Sequence, residues 1–391
     1  MLKEIKKLDQ TYYDEIINLS KFAFQYELTE EGRKKRLEEA DFHHIWGWIT
    51  DGELAGKVHT IPLKSYLNGQ LFEMGGINAV ATWPEYRRQG IIKQLLHHSL
   101  KEMKKNGQVL SFLSPFSFSF YRKYGWELAF TNKRYEIPIG NLKQNWQAEG
   151  YVRRSEVNIS LLQKIYTAYA KNFTGTLSRQ GDWWKHRVLS DKDQIAISYN
   201  EANDPEGYLI YQVKNNRLAV RDFAYSTLNG WKLLLQFIAN HDSMANKVEL
   251  TVPENDSLAL LLENPRFNQK INNYFMARIV DVHSFFEQFP FVQLSEPFES
   301  LTIAVEDSFF KENSGVYQLS NRETAIEIEK TDQEQSEIQC SIQMLTMMFL
   351  GYKRPLELYQ LDLIQGDQRK IEQLESLIPK QQTFLATADS F

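Results

Sequence analysis

Arg87, Arg88, Gln89 and Gly90 form a corner able to hold an anion. They follow an apolar, small-residue stretch, residues 75–82, that reads as a buried strand; Pro84 ends it, because proline has no N–H to give a ladder. After the corner, Ile92, Leu95, Leu96, Ser99, Leu100 and Met103 fall on one face at helical spacing. A glycine-containing turn that opens a helix presents unbonded backbone N–H groups and the positive end of the helix dipole. A pyrophosphate suits both, and arginines add charge-assisted hydrogen bonds to its oxygens. The same residues also read as a plain strand–turn–helix corner with surface arginines.

A second group lies in residues 115–126, PFSFSFYRKYGW, after a short apolar strand at 109–114. The pattern is a loop, a short helix that Ser117 or Ser119 caps, and a stop at Gly125, where a left-handed residue ends a helix. Tyr121 sits on that helix. On its own it reads either as a proton donor or as a core tyrosine with its hydroxyl satisfied.

These groups need a scaffold, and the first 140 residues supply one. Helices are expected over 9–24 and 29–40, with Asp9 and Thr29 as caps. Strands at 46–49 and 54–63 are joined by Asp51-Gly52, and Asn68-Gly69 makes a second hairpin turn before a strand at Leu71. This unit is expected over residues 1–140, with a linker at 141–150. Residues 150–286 run through a similar order: a helix at 160–172, strands at 195–199, 208–213 and 218–225, an amphipathic helix at 231–240 and a strand at 247–252. After that third strand the chain reads Ser226-Thr-Leu-Asn-Gly230 and lacks the Arg-x-x-Gly corner, so this unit is expected to be degenerate and without a pyrophosphate site. The aromatic and basic run 181–187 reads as a helix packing its tryptophans. Residues 290–391 change pattern, with strands at 301–305, 316–319, 325–328 and 338–342, and helices from Met344 and over 368–377.

Composition narrows the classes. The chain has 391 residues, 42% hydrophobic and 13% aromatic, enough for two or three cored domains. Its 45 basic and 50 acidic residues give a net charge of −5, which argues against nucleic-acid binding by charge. No apolar run has membrane-span length, and the N-terminus is too charged for a signal peptide. Cys340 is the one cysteine and alternates with Ile338, Ile342 and Met344, as on a buried strand face. The histidine pairs His43-His44 and His97-His98 are adjacent, a poor spacing for chelation, so no metal is expected.

The corner Arg87-x-x-Gly90-x-Ile92 resembles the acetyl-CoA motif of the GNAT acetyltransferases, with Ile92 in place of the usual small residue. Residues 115–126 are similar to that family's Phe-Tyr-x-x-x-Gly-Phe/Trp element. The whole chain resembles the Eis-type N-acetyltransferases: α+β, tandem GNAT folds with mixed central sheets flanked by helices, and a sterol-carrier-protein-like α+β tail. The resemblance implies acetyl-CoA as cosubstrate and no metal. Its pyrophosphate would lie on Arg87, Arg88, Gln89, Gly90, Ile91 and Ile92, and its pantetheine along Ala79, Val80, Ala81 and Thr82. Backbone N–H groups at Val80 or Ala81 would polarise the thioester. Tyr121 would protonate the leaving thiolate, a step open to a phenol of pKa about 10 facing a thiol of about 8.5.

The resemblance also makes the terminal carboxylate, here that of Phe391, the base that helps deprotonate the amine, and it implies a homo-hexamer; the charged N-terminus and the single cysteine give the cytoplasm as the expected location. The acceptor would be a small-molecule or peptide amine: aminoglycoside-, polyamine- or lysine-like. Glu27, Glu30 and Glu31 offer acidic contacts, and Phe22, Phe24 and Tyr26 an aromatic wall. Two other classes stay open: a non-catalytic acetyl-CoA sensor, and a carrier of lipids or hydrophobic ligands through the tail domain.

Overall fold

The computed structural model describes residues 3–294, 298, 300–322 and 325–391. The first segment runs β1 (Lys3–Leu8), α1 (Tyr13–Phe24), α2 (Glu30–Ala40), β2 (His44–Thr50), β3 (Glu53–Leu67), β4 (Gln70–Thr82), α3 (Ile91–Lys105), β5 (Leu110–Leu113), α4 (Phe118–Arg122) and β6 (Glu127–Pro138). The second runs β7 (Tyr151–Arg154), α5 (Ile159–Ala170), α6 (Gly181–Trp183), β8 (Gln194–Tyr199), β9 (Pro205–Lys214), β10 (Arg217–Tyr225), α7 (Leu228–Ala239), β11 (Lys247–Pro253), α8 (Leu258–Leu261) and β12 (Asn268–Ile279). The third runs α9 (Val282–Gln288), β13 (Leu301–Glu306), β14 (Gly315–Arg322), β15 (Ala325–Thr331), β16 (Ile338–Ser341), α10 (Ile342–Phe349), α11 (Pro355–Gln360), β17 (Gln365–Gly366) and α12 (Gln368–Leu377).

Local chemistry explains the boundaries. Asp9 accepts the Thr11 N–H and Thr29 the Gly32 N–H, each satisfying a donor that the opening turn leaves free. Asp51 and Gly52, like Asn68 and Gly69, all have positive φ, as a two-residue turn matched to strand twist requires. The strand β1 was not expected from its sequence: KEIKKL is mostly charged, but it is an edge strand, paired only with β2, where lysines discourage further pairing.

The first two segments share one twelve-stranded sheet, in the order β1-β2-β3-β4-β5-β12-β6-β11-β10-β9-β8-β7. Each half contains one parallel pair, β4 with β5 and β10 with β11. The centre is exchanged: β12 of the second half lies against β5 of the first, while β6 of the first lies against β11 of the second. The third segment has its own five-stranded sheet, β15-β14-β13-β16-β17. Here the expected strand over 338–342 stops at Ser341, whose hydroxyl accepts the Met344 N–H and starts α10, so Ile342 and Met344 are helical. Cys340 is buried on β16, and burial pushes its thiol up to about 12.

Candidate active site

The parallel pair β4 and β5 touches only over residues 74–77 with 110–113, while β4 runs on to Thr82. The strands therefore part and leave a wedge. Just past the parting, β4 bulges: Lys57 faces Ala81 and His59 faces Asn78, so Ala79 and Val80 together oppose the single Val58. Such a bulge turns backbone groups out of the ladder. Ala79 has φ +48, and its N–H donates to the Asn78 carbonyl-type oxygen Oδ1 at 2.6 Å. Ala81 and Thr82 continue the strand, both buried.

Beyond Thr82 the chain turns at Pro84–Tyr86 and meets α3. Arg87 Nε donates to the Thr82 carbonyl at 3.4 Å and Gln89 Nε2 to that of Glu85 at 3.2 Å. Arg88 and Gly90 are left-handed, with φ 62 and 78. Gly90, the N-cap, has no side chain to spend on the first N–H groups of α3, and nothing lies within 4 Å of where its Cβ would be. Arg87, Arg88, Gln89 and Gly90 are exposed and Ile91 is buried. Ile92 packs against the apolar cluster beneath α3 and does not roof the turn. This open, uncapped, arginine-flanked cradle fits a pyrophosphate.

Ser117 caps α4 by accepting the Phe120 N–H, and Tyr121 is buried in the same cluster as Leu113, Trp126 and Ile91, with Val80 packed against it. Burial pushes its phenol well above the ordinary tyrosine value. The turn after α4 is held from two distant parts of the chain. Arg278 of β12 is fully buried, donates to the Tyr124 carbonyl and pairs with Asp307 at 2.5 Å. Asp307, just after β13, also accepts the Phe309 and Phe310 N–H groups. Gly125 has φ +87, and a Cβ there would meet Arg278 Nη1 at 2.6 Å, so only glycine fits.

The C-terminus runs back over the second half. The Thr174 N–H donates to the Gln382 carbonyl and the Thr174 carbonyl accepts the Phe384 N–H, and Asp389 is buried. Arg179 Nε pairs with Asp389 at 2.7 Å, while its other nitrogens take Asp222 at 2.6 and 3.0 Å. Tyr166 donates to Asp389 and Tyr208 to Asp222. Two residues on, the Phe391 ring lies 5.3 Å from that of Phe275 and against Gly76, where a Cβ would strike it at 2.6 Å. Phe391 thus stands beside β4, three residues before the bulge residue Ala79. Tyr121 belongs to the core on the α3 side of the sheet and Phe391 to the core shared with the third segment.

On the face of β3 and β4 away from α3 is a pocket of about 260 Å³, reaching from α1 and α2 to Asn78 and Ala79. Phe24 and Tyr26 line it, but Phe22 packs at a tilt against Trp83 instead. Glu27, Glu30 and Glu31 are not in its wall; Glu27 is exposed and pairs with Lys21. The acid that lines it is Glu39, paired with Arg187 at 3.2 Å. Glu39 and His43 also border a second pocket, of about 310 Å³. That pocket draws Asp182, Trp183, His186 and Arg187 from the run expected only to pack tryptophans; Trp184 alone is fully buried there.

Sequence reading missed three buried polar groups here: Arg179 with Asp222 and Asp389, Arg278 with Asp307, and Lys57 with His59. Lys57 is fully buried; its ammonium nitrogen is 3.0 Å from His59 Nε2 and 3.0 Å from the Ala79 carbonyl. Lys57 and Arg278 each show in the sequence as one charged residue inside an apolar strand, but their partners do not, and Arg179 lies in a loop. Among the described residues no group of histidines, cysteines and carboxylates is placed to hold a metal, and no helix is long and apolar enough to cross a membrane.

Comparisons with known proteins agree with this geometry. Residues 4–129 and 175–279 each match an acetyltransferase (GNAT) domain, and residues 282–386 match a sterol carrier protein domain. No curated protein matches the chain. Among solved structures, a probable N-acyltransferase from Enterococcus faecalis V583 superposes with a TM-score of 0.94 at 26% identity, covering 100% of both chains. A GCN5-related N-acetyltransferase from Anabaena variabilis gives 0.88 at 23%, and Eis1 from Mycobacterium abscessus 0.81 at 17%, each again over 100% of both chains.

Proposed function

The chain is an Eis-like GNAT acyltransferase, and we propose that it moves the acetyl group of acetyl-CoA directly to an amine. The observation that carries the reading is the continuous path from the wedge between β4 and β5, past the bulge at Ala79, to the uncapped start of α3. Arg87, Arg88, Gln89 and the N–H groups of Gly90, Ile91 and Ile92 hold the pyrophosphate. Ala79, Val80, Ala81 and Thr82 line the pantetheine, and the backbone of the bulge polarises the thioester carbonyl. Tyr121 gives its proton to the departing sulfur; its raised pKa keeps it protonated until that charge develops. The carboxylate of Phe391, whose ring is buried against Phe275, helps deprotonate the incoming ammonium. The acceptor is a small-molecule or peptide amine entering by the pocket that Phe24, Tyr26 and Glu39 line. A homo-hexamer working in the cytoplasm completes the reading.

The test is calorimetric titration of acetyl-CoA into the untagged protein, followed by a screen of amines. One molecule should bind per chain. Binding should vanish in the pair Arg88→Ala with Gly90→Glu and stay unchanged in Thr227→Ala at the corresponding corner of the second half. No binding to the parent protein would sink the reading and favour a carrier role for the third segment.

A further inference from the structure

Three side chains connect the buried interior of the first half to the acceptor pocket. Lys57 Nζ lies 3.0 Å from His59 Nε2, and His59 Nδ1 lies 3.2 Å from His43 Nδ1. His59 lines the first pocket and His43 lines both. Lys57 also touches the carbonyl of Ala79, the bulge residue at which the thioester is placed above. A lysine wholly removed from water without a carboxylate partner is costly when charged. Here its two neighbours are a carbonyl and an imidazole, which tolerate either charge state of the amine.

We propose that Lys57, His59 and His43 form a proton relay that takes up the proton of the acceptor ammonium, beside the part the Phe391 carboxylate plays in that deprotonation. The proposal rests on the acetyl-transfer reading above. In the resting state Lys57 is a neutral amine and accepts the His59 Nε2–H; His59 Nδ1 accepts the His43 Nδ1–H; His43 Nε2 is left to meet the pocket. The ammonium gives a proton to His43 Nε2, His43 passes its Nδ1 proton to His59, and His59 passes its Nε2 proton to Lys57. Both imidazoles end neutral in the opposite tautomer, Lys57 ends as an ammonium, and the substrate nitrogen keeps the lone pair that attacks the thioester.

The surroundings support these charge states. Burial, with Arg36 behind it, brings Lys57 down to about 7. Burial takes His43 down to about 3 and His59 well below its ordinary value, so neither ring traps the proton. The groups facing the relay are Tyr13 from α1, Tyr26 from the turn after it, Arg36 and Glu39 from α2, His44 from β2 and Arg187 from the second half. Two of the three formal charges, Arg36 and Arg187, are positive and favour the neutral lysine.

The experiment compares benzylamine, a cation at pH 7, with phenylhydrazine, of like size and neutral at that pH. For Lys57→Met and for His59→Gln, kcat/KM toward benzylamine at pH 7 should fall by about 100-fold or more. Toward phenylhydrazine it should fall less than about threefold, since that nucleophile needs no base. The benzylamine loss should shrink as pH rises toward 9. Acetyl-CoA titration and a melting curve on each variant show that it is folded, and His59→Gln carries the test alone if Lys57→Met does not fold. Equal losses toward both amines with acetyl-CoA binding intact, or no loss toward either, would overturn the relay and leave the transferase reading standing. A parent protein that binds acetyl-CoA and acetylates neither amine would overturn both.

Discussion

The two GNAT halves of this chain have the same frame and opposite surfaces at the same place. Each has a strand that bulges, Ala79 on β4 and Arg221 on β10, shortly before a turn into a helix. In the first half the strand end is small and the helix start is uncapped. In the second, Phe223 and Tyr225 stack on Trp231 with ring centroids 4.9 and 5.2 Å apart, where the first half has small residues. Thr227 caps α7 by accepting the Gly230 N–H, so a donor that a phosphate would use is already bonded. The bulge then serves another end: it presents Asp222 to Arg179, and through Arg179 to the tail. One half leaves its helix start open, and the other caps it and uses its bulge to hold the chain's own C-terminus. The two halves share GNAT topology because strand order and bulge are set by packing, whereas an open helix start depends on a few backbone donors left unsatisfied.

The comparison breaks most visibly at Arg179. Arg179→Met leaves the carboxylates of Asp222 and Asp389 buried without their cation, a loss of about 3–5 kcal/mol on the scale of broken buried pairs. Chemical denaturation should show that loss. Acetylation should also fall, because the tail bearing Phe391 is released, while acetyl-CoA binding to the first half persists in the folded fraction. Retained stability would mean that the second half does not dock the tail as described.

Tyr121→Phe tests the opposite half. It removes one hydroxyl from a buried ring and should lower kcat by about 100-fold, roughly 3 kcal/mol, with acetyl-CoA affinity unchanged. A parallel drop in affinity would assign Tyr121 to binding.

Acid sharpens the contrast by a smaller amount. His43 and His59, both in the first half, are held below their unfolded value of about 6.5. The unfolded chain therefore binds more protons below 6.5. The histidines' contribution to stability is full above that pH and falls as pH drops toward 3, by about 1.4 kcal/mol per pH unit for each histidine. Melting curves between pH 7 and 5 should show the decline, and His59→Gln should flatten it. A melting temperature independent of pH over that range would contradict the buried neutral pair.

Much of the first half was legible from its sequence because its signals are local. Asp51-Gly52 and Asn68-Gly69 specify their turns within two residues, Asp9, Thr29 and Ser117 cap within three, and Gly90 marks its own left-handed corner. The buried charges were not legible, because each needs a partner far along the chain: Arg278 pairs with Asp307 across 29 positions and Arg179 with Asp389 across 210. Lys57 needed both the bulge on the neighbouring strand and His59 to make sense. The wall of the first pocket was legible only in part: Phe24 and Tyr26 line it, Phe22 and Glu27 lie outside it, and only packing shows that Glu39 faces it. The exchange of β6 and β12 leaves no mark in either strand's own residues.

That exchange also bears on how the protein is made. While the chain emerges from a ribosome, β5 is finished long before β12, which alone covers its free edge. Roughly 150 residues separate them, which at about 5–20 residues per second is a wait on the order of 10 seconds with a hydrophobic strand edge unpaired. The sheet of the first half thus cannot be completed until the second half has been synthesised, and a nascent chain halted between the two is a natural client for chaperones and a seed for misassociation between neighbouring copies.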